Sequence, residues 1–188
     1  MVANQERRAL LADAGLRVLG ASGARGLTHR AVDAEAGVPV GTASNYFRSR
    51  DALLGALAER IMARLAPDPG RLTTLGEREP TVDLSVDYIR YIVERTTESP
   101  ELTLALMELR LEARRRPGLA ETLGETLRRG YQEDVRFNRS AKLPGEAFEI
   151  ALLHYAIDGL LLDRLTVPVA PDIPVDRAVE ELVRRLLG

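Results

Sequence analysis

Between Gly41 and Arg50 the chain reads GTASNYFRSR, a run that sets short hydrogen-bonding side chains almost side by side. Thr42, Ser44, Asn45 and Tyr46 offer hydroxyl, amide and phenol groups of a length suited to base edges and phosphate oxygens in a major groove. Gly41 has almost no side chain and lets the backbone approach a surface closely. Arg48 and Arg50 follow with guanidinium forks that match a phosphate, and Arg30 lies a little upstream. The chemistry these residue types share is non-covalent recognition of double-stranded DNA. With Thr28 and Val40 added at the openings of the two flanking helical runs, the candidate DNA contacts are Thr28, Arg30, Val40, Gly41, Thr42, Ser44, Asn45, Tyr46, Arg48 and Arg50.

Holding such groups at a surface takes two short helices and a tight turn, and residues 28–50, THRAVDAEAGVPVGTASNYFRSR, provide that pattern. Thr28 is a good N-cap, residues 31–36 are a compact helical run, and Gly37-Val38-Pro39 stops it, with Gly37 able to take the left-handed turn. The spacing predicts a second helix over residues 40–46. It is too short and polar to exist for its own packing; Val40, Ala43 and Phe47 are its plausible inward anchors, and the other face is free. Ser49 can cap the following helix, with Asp51 in its first turn. This is a helix-turn-helix, a unit that reads DNA in some proteins and merely packs in others. Charge favours the first reading. Residues 1–50 carry seven Arg against four Asp and Glu, a net of +3, while the rest carries nineteen Lys and Arg against twenty-four acids, a net of −5. A DNA-binding head needs such a local surplus to displace phosphate counterions, and a surplus this weak predicts two copies acting together.

The segment GLTHRAVDAEAGVPVGTASNYFRSRDALL, with its surroundings from about residue 8 to 60, resembles the DNA-binding domain of the tetracycline-repressor (TetR) family of bacterial transcription regulators. The resemblance implies that Thr28 and Arg50 hold phosphates and that Gly41-Thr42 opens the recognition helix. Two departures stand out. Ser44 occupies a position where the family commonly has an aromatic residue, and Asn45-Tyr46-Phe47 moves the phenol two positions along. Asp33 stands where a small alanine is usual, and is expected to reach an arginine or solvent.

The remaining sequence predicts an all-α protein of about nine helices: a three-helix helix-turn-helix domain over residues 1–49, and a helical ligand-binding and dimerisation domain over residues 50–188. The apolar content at this length suffices for a core, and no alternating β-pattern appears. Leu11, Ala14, Val18 and Ala21 mark one face of a helix over residues 5–22, ended by Gly23 and Gly26; Leu53, Leu57, Ile61 and Leu65 mark another. Residues 66–79 read as the one long loop, after which Pro80, Pro100 and Pro117 each open a helix at a first-turn position that needs no amide donor. Cysteine is absent, which excludes disulfides, thiolate metal sites and cysteine nucleophiles. The N-terminal residues are too charged for a signal peptide, and no run approaches the roughly 20 apolar residues of a membrane span, so a cytoplasmic location is expected.

Two further sets of residues point to an input and an assembly. In residues 146–165, EAFEIALLHYAIDGLLLDRL, one apolar stripe runs through Phe148, Leu152, Tyr155, Gly159 and Leu162, and another through Ile150, His154, Ile157 and Leu161. A helix apolar on two faces must bury both, one of them against a partner. The final helix, residues 175–187, repeats this with Val179, Leu182 and Leu186. The family resemblance implies a four-helix dimer interface built from these two helices. A twofold homodimer would set its recognition helices about 34–36 Å apart and predict a pseudo-palindromic operator. Tyr88, Tyr91, Leu106, Met107, Leu127, Tyr131 and His154 supply apolar walls with polar tips, similar to the small-molecule pocket of the family. The resemblance further implies that a small-molecule effector shifts the fourth helix, re-spaces the two heads and weakens operator binding, most commonly as release of a repressor.

An enzyme is the rival class. The two histidines, His29 and His154, lie in different helices, and no phosphate-cradling loop, nucleophile elbow or metal-ligand spacing appears, so no catalytic residue, metal or cofactor is expected. The glycines at 20, 23 and 26 follow a helix rather than a strand and read as its end. Arg114-Arg115-Arg116 reads either as a basic patch or, more simply, as cations facing a helix C-terminus before Pro117. The other alternative is a helical dimeric ligand-binding or protein-interaction module without specific DNA binding.

Overall fold

Apolar residues recurring every three or four positions leave burial of helix against helix as the way to a core. The computed structural model describes residues 2–188, with side chains from Asn4 onward, and among them contains ten helices and no strand. They are α1 Val2–Gly26, α2 His29–Ala36, α3 Thr42–Tyr46, α4 Arg50–Arg64, α5 Pro69–Gly76, α6 Val82–Thr97, α7 Pro100–Ala113, α8 Pro117–Ser140, α9 Ala147–Leu165 and α10 Val175–Leu187. The all-α expectation holds. The helix beyond the expected nine is α5, inside the segment read as a loop. Asp68 accepts the Arg71 amide at 2.8 Å and Pro69 occupies the first turn, so the Pro-rich cluster starts a helix there. Pro80, by contrast, lies outside α6, whose N-cap is Thr81.

The chain packs as two compact units. The first comprises the chain up to Leu65 together with Glu101–Leu127. Leu11, Leu19, Leu27, Val32, Ala43 and Phe47 are buried there with Leu53, Leu54, Leu57 and Ile61 of α4 and with Leu102, Leu109, Leu119 and Leu123. The packing unit therefore extends past residues 1–49: α4 supplies part of the wall that α1 packs against. Ala21, expected on the inward face of α1, is exposed, because the turn leading to α1's break at Gly23 carries it off the core. A bidentate pair fixes α4 to α1, Arg60 Nε and Nη2 donating to the two Asp13 oxygens at 2.8 and 2.7 Å.

The second unit comprises Ala66–Pro100 and Arg128–Gly188. α10 packs on α6 and α9, and α6 on α9. The buried side chains include Leu84, Tyr88, Tyr91 and Val93 of α6, Ile150, Leu153, Ile157 and Leu161 of α9, and Val179 and Val183 of α10. Arg90 joins α6 to α10 by donating to Asp176 and, at 3.0 Å, to Glu180. The Asn138 amide donates to the Gly145 carbonyl at 2.8 Å and closes the turn between α8 and α9.

Candidate DNA-binding site

The geometry begins at Thr28, whose hydroxyl accepts the Ala31 amide at 3.1 Å and starts α2 as expected. Gly37 ends α2 in the left-handed conformation, φ 65° and ψ 35°, as its sequence position predicts. α3 is shorter than the expected 40–46: its N-cap is Gly41, at φ 96°, a residue with no side chain to cap anything. The missing cap comes from elsewhere. Asp33, in α2 and only 1% exposed, accepts the Gly41 amide through Oδ2 and the Ala43 amide through Oδ1, both at 2.7 Å. This corrects the expectation that Asp33 reaches an arginine or solvent. A carboxylate in this place satisfies two orphan donors at once and carries the charge that suits a helix N-terminus.

The other end of α3 is tied in the same manner. His29 Nε2 lies 2.6 Å from the Phe47 carbonyl oxygen, which fixes Nε2 as the donor, and the Phe47 ring is fully buried. Ala43 is the second inward anchor. Val40 is not one: it stands 78% exposed on the turn before α3, because α3 begins two residues later than expected. Asp33 and His29 were invisible as site residues in the sequence. The available signal was an acid eight residues before a helix start that has only glycine to cap it.

The outer surface of this unit presents Ser44, Asn45, Arg30 and Arg48 exposed, with Thr42 and Tyr46 half-buried. Thr42 and Ser44 each donate locally, to the Pro39 carbonyl at 2.6 Å and the Gly41 carbonyl at 2.8 Å, so their hydroxyl protons are engaged and their oxygens remain able to accept. Ser49 caps α4 by accepting the Ala52 amide at 3.0 Å. Arg50 is half-buried, and its terminal nitrogens donate to the Ala24 and Leu27 carbonyls, binding the start of α4 to the end of α1. The structure thus gathers the turn, α3 and the start of α4 on one compact unit.

The pocket candidates fall in both units. Tyr88, Tyr91, Tyr131 and His154 belong to the second unit, and Leu106, Met107 and Leu127 to the first. Tyr131 and His154 meet edge to face with centroids 5.7 Å apart, His154 Nε2 lies 3.1 Å from Asp134, and the Tyr131 hydroxyl donates to the Ala147 carbonyl at 2.6 Å. Tyr91 lies under the Arg71 guanidinium, 4.3 Å from the ring centroid, and Leu106 and Leu127 pack on the first unit's core. The dimer candidates divide by face. Phe148, Tyr155 and Leu162 are 68%, 70% and 52% exposed, Gly159 is exposed, and Leu152, Leu182 and Leu186 are half-buried. Val179 turns inward and is buried in its own unit, so it has no surface to offer a partner.

Comparison with known proteins places this geometry. Residues 11–57 match the model for bacterial regulatory proteins of the tetR family, and residues 80–188 match the model for the tetracyclin repressor-like C-terminal domain. This chain belongs to the TetR family. No curated protein sequence matches it. Among solved structures, the multidrug binding protein EbrR in complex with imidazole is 30% identical, with a TM-score of 0.70, and the match covers 97% of this chain and 95% of that one. EbrR with ethidium is 29% identical at a TM-score of 0.69, covering 97% and 99%. A TetR-family member from Streptomyces coelicolor A3, SCO1917, is 26% identical at a TM-score of 0.71, also covering 97% and 99%. As a TetR-family protein the chain is a DNA-binding transcriptional regulator with a ligand-binding C-terminal domain. Among the described residues no helix is long and apolar enough to cross a membrane.

Proposed function

We propose that the protein is a cytoplasmic homodimeric repressor, without catalytic activity, that binds a pseudo-palindromic operator and leaves it when a small-molecule effector binds. The observation that carries this reading is α3: a five-residue helix fixed at both ends by α2 side chains or their partners, with its polar face turned outward. Asn45, Ser44, Thr42 and Tyr46 read base edges from that face, with Val40 and Gly41 at its entrance making close contact. Thr28, Arg30, Arg48 and Arg50 serve the phosphates. The recognition domain is residues 1–49 and the regulatory domain residues 50–188.

Dimerisation runs through the exposed stripe of α9 beside Leu182 and Leu186 of α10. A small-molecule effector is supported by EbrR, solved with proflavin, imidazole and ethidium; Tyr88, Tyr91, Leu106, Met107, Leu127, Tyr131 and His154 are the residues proposed to serve it. The effector must favour the state in which the heads are out of register, and a typical coupling of about 1–3 kcal/mol would change operator affinity roughly 5–150-fold.

Selection of bound fragments from sheared genomic DNA, at a near-physiological salt of about 0.15 M, tests the reading. A recurrent pseudo-palindrome is the expected product. Recovery of salt-sensitive fragments with no shared sequence would remove the operator from the account.

A further inference from the structure

Arg114-Arg115-Arg116 follows α7, and the function proposed above does not use it. In the first unit Arg115 and Arg116 do not stand alone. They line a cleft of 550 Å³ with Arg25, Arg50, Glu112 and the backbone at Gly23. Four guanidinium groups thus share one concave site with a single carboxylate.

Glu112 is fully engaged. Its Oε1 accepts Arg116 Nε at 2.7 Å and its Oε2 accepts Arg115 Nη2 at 3.1 Å, and these bonds, that of Arg116 first, hold its carboxyl below the usual range. Asp51 accepts a further, longer bond from Arg116 at 3.4 Å. Arg50 donates to two backbone carbonyls, which are neutral, and its Nε is buried with no acceptor. Arg25 is exposed and makes no ion pair among the described residues. Counting Glu112 and Asp51 against the four arginines leaves two positive charges over.

A net charge of +2 around a cleft, with the Arg25 and Arg115 guanidinium groups exposed at it, matches a compact dianion whose several oxygens accept from different arginines at once. The concavity favours a small molecule over a duplex, whose phosphates lie on a convex surface, and the volume is in the range of metabolite sites. We propose that this cleft binds a small molecule bearing a phosphate or pyrophosphate group. Bound there, the anion joins the end of α1, the start of α4 and the α7–α8 turn within the unit that carries α3. It is a site separate from the pocket candidates named above.

Pyrophosphate itself is the probe. Calorimetric titration of the full-length protein without DNA, at an ionic strength held constant with chloride, should give a saturable isotherm with one site per chain. Arg25→Ala and Arg115→Ala, both at surface residues, should each weaken it about tenfold or more, the loss expected for a charge-assisted hydrogen bond. Arg114→Ala, outside the cleft, should leave it unchanged. Absence of a saturable isotherm overturns the proposal. So does an equal loss in all three variants, which would signify diffuse attraction to a basic surface, or no loss in any. Variants whose pyrophosphate affinity is unchanged but whose DNA affinity falls would assign the cleft to the DNA backbone, and would overturn it as well.

Discussion

α3 and α9 are held in place by different physics. α3 has five residues, far below the length at which a helix is stable alone, and little apolar area of its own. What holds it is directed: two amides on the Asp33 carboxylate, a carbonyl on His29, and the buried Phe47 ring at its end. α9 has nineteen residues and is held by area, with Ile150, Leu153, Ile157 and Leu161 buried along one face. Directed bonds fix the orientation of a helix while leaving its outer face free to be polar. Area fixes a face and, when the helix is apolar all round, leaves the opposite face, here Phe148, Tyr155 and Leu162, in need of cover. The two helices thus expose opposite chemistries, and each exposure is the counterpart of how the helix is anchored.

The largest expected effect comes from removing the directed anchor. In Asp33→Ala the Gly41 and Ala43 amides lose the acceptor they have among the described residues, at about 1–3 kcal/mol for the buried Ala43 amide left unpaired and less for the part-buried Gly41 amide, which water can reach. Denaturant unfolding should show that loss, and DNA binding should fall with it. Asp33→Asn keeps one acceptor oxygen and should recover part of both. Full stability and unchanged DNA affinity in Asp33→Ala would mean that α3 is held by area after all.

The anchor made of area should fail differently. Tyr155→Arg with Leu162→Arg alters only exposed residues, so each subunit should keep its helicity by circular dichroism while sedimenting as a monomer. Operator affinity should drop about 10²-fold or more, because the second half-site no longer binds as part of the same molecule. A dimer that persists in this variant would place the interface elsewhere.

Reach in sequence decided what could be read without a structure. Thr28, Gly37 and Ser49 were legible because each acts on a backbone group no more than three or four residues away, where propensity and cap chemistry are local. α10 was legible to the residue, its apolar period starting just after Pro174 and closing before Gly188. The two stripes of α9 were legible too, since period alone separates the faces. Asp33, His29 and Arg50 were not, because their partners lie between eight and twenty-six residues away and only the folded turn brings them close. α5 is a different case: Asp68-Pro69 carried a cap and a first-turn proline, but a cluster of prolines and glycine reads equally as a breaker. The pocket residues share only an apolar character, and that pattern does not distinguish a ligand wall from ordinary core.

Smaller effects probe the outer face of α3. Asn45→Ala removes an exposed amide with no role in holding the helix, so thermal stability should stay unchanged. Discrimination should relax by about 1–3 kcal/mol at particular operator positions, measured by competition among single-base operator variants. A uniform loss across all sequences would remove Asn45 from base reading.

The smallest effect separates two arginines that look alike in sequence. Arg48 is exposed and makes no bond among the described residues, whereas Arg50 donates to the Ala24 and Leu27 carbonyls. Arg48→Ala should leave the melting temperature alone and flatten the salt dependence of DNA binding by about one unit, the signature of one lost phosphate contact. Arg50→Ala should flatten the slope likewise and also lower the melting temperature, because a charged donor holding the start of α4 to the end of α1 contributes about 1.5–3 kcal/mol. If Arg50→Ala changes only the salt slope, the carbonyl bonds contribute nothing to stability and the residue acts on DNA alone. If Arg48→Ala leaves the slope unchanged, the phosphate it was assigned lies beyond its reach, and the DNA path across this unit runs closer to Thr28 and Arg30.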